Sequence, residues 1–169
     1  MRLQVLGSVR DRLFAEFVLE GSINDVIGRI VRSYVEWADT HPALHRLSDS
    51  ASYLGEQPGP LHETLQQIAS QVHELVDLAT SVLQITLSDE DAESLDLLIF
   101  GLVSEMMGIV RHWLWRPVRA PRTERLAQLM TGLVWSQFDT LARERGLTLD
   151  PDARIEDLVA AALAQPPTG

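Results

Sequence analysis

The sequence has no cysteine and no lysine. Without thiols there are no disulfides, no thiolate metal ligands and no cysteine nucleophile. Without lysine there is neither a phosphate-binding P-loop nor Schiff-base chemistry, and all fourteen basic residues are arginine. GxSxG and GxGxxG strings are missing too. No catalytic residue and no cofactor is therefore expected, and the chain does not read as an enzyme. Long apolar runs are also lacking. The best candidate, Leu97 to Val110, carries Ser104 and Glu105 in its middle, which is too polar for a bilayer span. The N-terminus has no apolar core followed by a small-residue cleavage site. A cytoplasmic protein with no membrane partner is the expectation.

Metal-ligand spacings occur only in broken form. His41 and His45 are four apart, but Pro42 places His41 at a helix cap, off any shared face. His62-Glu63 and His73-Glu74 begin strings like HExxH, yet their fifth positions are Gln66 and Asp77. No metal site is expected.

Apolar residues make up 46% of the 169, which suits one packed domain over 1–169. The net charge of −10 repels nucleic acid. That charge is uneven. Residues 61–100 hold eight acids and no arginine, whereas Arg111, Arg116, Arg119, Arg122 and Arg125 crowd one turn. Such a run usually marks a solvated segment, and Arg111 and Arg116 suit a helix C-terminus; an acidic effector is the alternative occupant.

Almost every segment has helical period and almost none alternates as a strand does. Ser8 with Asp11 reads as a capping pair opening a first helix that stops near Gly21. Ser22 with Asp25 repeats the pattern and opens a second, which His41-Pro42 ends. A short third helix runs from Ala43 to about Ser52, and 55–60 is a loop rich in glycine and proline. Leu61, Leu65, Ile68, Val72, Leu75, Ala79 and Val82 recur in steps of four and three, giving a fourth. Ser88 with Asp91 caps a long fifth that Arg116-Pro117 ends. Pro121 opens a sixth, closed by Gly146 as a left-handed C-cap. Asp150-Pro151-Asp152 starts a final short one. The fold class is all-α, a bundle of six to seven helices.

The hairpin from Ser88 to Gly146 stands out. On a wheel of 100° per residue its first helix carries two adjacent apolar stripes, one with Leu102, Met106 and Trp113, the other with Phe100, Val103, Met107 and Val110. Together they span roughly 200°, twice the arc of an ordinary surface helix. The remaining side is built of Gly101, Ser104, Glu105, Gly108 and His112, small enough to let another helix approach. In the second helix Leu126, Leu129, Met130, Leu133, Val134, Phe138 and Leu141 face one way. Gln128, Gly132 and Trp135 lie on the other, with Trp135 an aromatic on the outward side. Two such hairpins about a two-fold axis make a four-helix bundle, so Gly101, Ser104, Gly108, His112, Gln128, Gly132 and Trp135 are the expected homodimer interface.

The helix order resembles a known family. So do the segment Tyr34 to Leu44, Phe100-Gly101-Leu102-Val103, His112-Trp113-Leu114 and Leu133-Val134-Trp135. The chain is similar to the C-terminal effector-binding and dimerisation domain of TetR/AcrR-type bacterial transcriptional regulators. Leu6 to Leu13 resembles that family's junction, with 1–7 as its remnant and 165–169 as a disordered tail. The resemblance implies a helix-turn-helix domain upstream that is not among these residues, so DNA would be met only through that domain. It also implies a small, apolar effector among the middle helices. Phe100, Val103, Met107 and Val110 would line that pocket, with Tyr34, Trp37 and His73 contributing from the second and fourth helices. Plain core packing is the competing reading for each. Glu105 shares a face with His112 and would meet the effector, the symmetry mate or solvent. A helical protein–protein interaction module without a small ligand is the alternative function.

Overall fold

The computed structural model describes residues 20–43, 66, 68–70, 72–74, 76–77, 80–81 and 86–164. The helix expected at Ser8, the remnant 1–7, the third helix beyond Ala43, the loop at 55–60, the tail 165–169, His45 and His62 lie outside these. The described residues are helical, with one isolated bridge between Ser22 and Arg154 and no strand among them.

Helix α1 (Ile23–Thr40) starts where the capping pair places it. Ser22 Oγ accepts from the Asp25 N–H at 3.1 Å, and Asp25 Oδ2 accepts from the Ser22 N–H at 2.9 Å. The Ser22 backbone N–H, and after it the Ser22 side chain, hold the Asp25 carboxyl below its ordinary value. Gly21 enters at φ 87°, and a Cβ there would lie 2.8 Å from Asp25 Oδ2, so only glycine fits both the backbone and the cap. The helix ends at His41, whose ring stacks on Trp37 at 5.2 Å.

Helix α2 (Asp89–Leu114) is capped by Ser88, whose Oγ accepts from the Asp91 N–H. It stops slightly short of Arg116-Pro117, because the residue before proline is pushed out of helical geometry. The turn that follows is tied down. Trp113 donates its indole N–H to the Pro121 carbonyl at 2.8 Å, and Arg116 donates to that of Ala120 at 2.6 Å.

Helix α3 (Thr123–Glu144) begins two residues after Pro121, with Arg122 as its N-cap. Pro121 stays outside the helix because its carbonyl serves Trp113. At the far end Gly146 has φ 71°. Its N–H bonds to Arg143 and that of Leu147 to Ala142, the paired bonds of a Schellman cap. Helix α4 (Ile155–Ala164) also starts later than expected. Asp150 to Ala153 forms a turn instead, and Ile155 then donates to Gly21 while Asn24 donates to Pro151.

The main core joins three helices: Tyr34, Val35 and Ala38 of α1, Met106, Val110 and Trp113 of α2, and Leu126, Met130 and Val134 of α3 among them. A smaller cluster, Ala69, Ile99 and Val103, sits further along α2. The closest helix pair is α1 with α3, not the two arms of the hairpin. Gly28 faces Thr131 in this contact, where a Cβ would lie at an ordinary van der Waals distance of 3.8 Å from the Thr131 side chain. The hairpin folds back on itself, but α1 is what packs against its second arm.

Candidate functional site

The residues expected to line a pocket divide between two places. Tyr34, Trp37 and Val110 belong to the main core, and Met107 packs against it half-buried. Burial pushes the Tyr34 phenol above its ordinary range. Val103 belongs to the smaller cluster, with Phe100 packed on it. His73 lies between Val72 and Val76, which pack on that same cluster. Its Nε2 sits 3.5 Å from Asp77 Oδ1, and its Nδ1 is buried with no hydrogen-bond partner among the described residues. A buried ring nitrogen left in this way costs free energy unless something occupies it. The structure thus separates an aromatic group on α1 from a second group around Val103. Only the second group contains an unsatisfied polar atom.

The expected interface residues also divide. Gly101 and His112 are exposed on α2, with Ser104 and Gly108 half-buried beside them. Ser104 turns its hydroxyl back to the Phe100 carbonyl at 2.7 Å. Gln128, Gly132 and Trp135 turn elsewhere. They line an open groove of about 530 Å³ between α1 and α3, together with Arg29, Arg32 and Thr131. The apolar residues α3 leaves most exposed are instead Leu129, at 46%, and Leu133, at 39%, both expected on the apolar face opposite Trp135. On α3 the row Leu129, Leu133, Gln137 runs in steps of four. Gln137 donates to Glu105 Oε2 at 2.8 Å, so this row borders the outward face of α2.

That face is apolar as well as small. Leu97 is 73% exposed and Trp115 62%, with Leu98 also in solvent. A Cβ added at Gly101, Gly108 or Gly132 would meet nothing within 4 Å. Glycine in a helix interior costs about 1 kcal/mol relative to alanine, and nothing among the described residues requires it at those three positions. Sequence reasoning missed Leu97, Leu129 and Leu133 because periodicity marks a wide apolar arc without saying which edge is covered.

The other half of the hairpin is closed by charge. Arg145 pairs with Asp91, and this bond, with those from Ser88, holds the Asp91 carboxyl below its ordinary value. Arg119 pairs with Asp39 across the turn while its guanidinium lies 5.8 Å from the Trp113 ring centre. No group of three or more His, Asp or Glu residues suited to a metal occurs among the described residues. No helix among them is long and apolar enough to cross a membrane. Comparisons with family models, curated proteins and solved structures found no match to this chain.

Proposed function

We propose that this chain is an effector-sensing and dimerisation domain of the TetR-like kind, paired through the outward face of the Ser88–Gly146 hairpin. The observation that carries the reading is that face itself. Leu97, Leu98, Trp115, Leu129 and Leu133 are exposed together with glycines that no contact among the described residues requires. The sensing half is supported by the cluster around Val103 and Phe100, with the unsatisfied His73 Nδ1 on the neighbouring helical stretch. A small apolar molecule with one acceptor or donor for that nitrogen is the ligand class this composition favours. Ligand binding would shift the population between two helix arrangements, and in an intact regulator that shift would reset the spacing of the DNA-binding domains.

A second reading is a helical interaction module without a small ligand. It is favoured by the dense burial of Tyr34, Trp37 and Val110 within one apolar cluster shared by three helices. One experiment addresses both. Sedimentation should give a dimer that Leu133→Arg and Gly108→Leu convert to monomer, and a thermal-shift screen of apolar compounds should give binders that His73→Ala weakens. A monomer at high concentration sinks the dimer reading, and a dimer whose binders ignore His73 sinks the pocket reading.

A further inference from the structure

The outward face of α2 repeats itself when read from its two ends. At 100° per residue Leu97, Gly101, Glu105, Gly108, His112 and Trp115 fall within an arc of about 80°, with Leu98 at its edge. Leu97 and Trp115 sit at the two ends, and Gly101 and Gly108 lie between them beside Glu105 and His112. Charge, by contrast, reverses. Asp89, Glu90, Glu93 and Asp96 stand at the N-terminal end, while Arg111, Arg116, Arg119 and Arg122 stand at the C-terminal end and in the turn. No acid lies between Met106 and Thr123.

We propose that a second copy of this chain covers this face with its α2 antiparallel, the two-fold axis falling between Met106 and Met107. This rests on the dimer reading and goes further, since it names the helix, the direction and the register. Leu98 then comes opposite the partner's Trp115, Gly101 opposite the partner's His112, and Glu105 opposite the partner's Gly108. Each large side chain meets a small or apolar one, and each contact occurs twice, as an isologous interface requires. The Glu90 to Asp96 turn comes alongside the partner's arginines at 116 and beyond, and Glu105 lies one turn from the partner's Arg111.

Charge favours this direction over a parallel one. A parallel pair would set acid on acid at one end and arginine on arginine at the other, and like charges placed together suppress a wrong partner. The antiparallel pair matches opposite charges at both ends. It also explains how two chains of net charge −10 each could meet, because the repulsion is spread over the surface while the attraction is local. Helix α2, at 26 residues, is roughly 39 Å long, enough to keep the two charged ends apart in either copy.

The lack of cysteine supplies the test. Chains carrying Gly101→Cys are mixed with chains carrying His112→Cys and oxidised, and Leu98→Cys with Trp115→Cys provides a second pair. The expected result is a crosslinked dimer in each mixture and none from any single variant alone. Self-crosslinking of a single variant means a parallel pair and overturns the proposal. No crosslink from chains that still sediment as a dimer also overturns it, while leaving the dimer reading in place. Chains that sediment as monomers, parent included, overturn both.

Discussion

The two sides of α2 obey different rules. Its inner side is filled: Val110 is inaccessible to solvent, and Trp113 and Leu114 are nearly so. Its outer side carries Leu97 and Trp115 largely in solvent and two glycines with open space where a side chain would be. The same helix thus does two kinds of work. The inner side sets the stability of the single chain, since buried apolar area is the main favourable term in folding. The outer side adds little to that stability and resembles an interface with its partner removed.

Breaking the inner side should have the largest effect. Met130 of α3 is fully buried where the three helices meet. Met130→Ala removes several buried heavy atoms from a site that cannot fully collapse, and should cost about 2–5 kcal/mol in urea unfolding. A loss below about 1 kcal/mol would mean the core is far looser than the burial implies. The outer side should respond in the opposite sense. Gly101→Ala replaces an exposed helical glycine with a better helix former and should stabilise the isolated chain by up to about 1 kcal/mol. The same change should weaken association in sedimentation. An alanine variant that unfolds later and associates as tightly as the parent would show that the glycine serves neither side.

The smallest effect sharpens the boundary between the two sides. Asp91 and Asp25 both titrate below their ordinary value, Asp91 chiefly through Arg145 and Asp25 chiefly through Ser22. A carboxylate with a depressed folded-state pKa stabilises the fold fully above its unfolded pKa, near 4, and loses that contribution as pH falls through the folded value. Melting temperature should therefore drop below about pH 4. Asp91→Asn should drop less over that window, having no Arg145 pair to lose. Equal acid sensitivity in parent and variant would remove Asp91 from the account.

Much of this was legible because it is local. The Ser22/Asp25 and Ser88/Asp91 caps and the Gly146 C-cap each depend on a few consecutive residues, and each is found where the sequence places it. Helix starts that depend on tertiary bonds were not legible. α3 begins after Pro121 because Trp113, on another helix, claims the Pro121 carbonyl. Leu129 and Leu133 share the apolar face of Leu126 and Met130 on a wheel, yet stand exposed, since a wheel ranks hydrophobicity but not neighbours. Trp135 is expected on the outward side and lies in the groove against α1, lined also by Gly28 and Thr131, because the wheel does not say where α1 packs. Of the expected pocket, the residues were legible as apolar, but their division between two clusters follows from where α1 crosses α2.

The clasp at the turn has a mechanical meaning. Arg119 joins Asp39, at the end of α1, to the corner between α2 and α3, and Thr123 reaches the same carboxylate at 3.4 Å. The corner is therefore fastened to α1 and pivots with it. The Asp89 end of α2 is held as well, by the Arg145 pair with Asp91, so the helix is clasped near both of its ends.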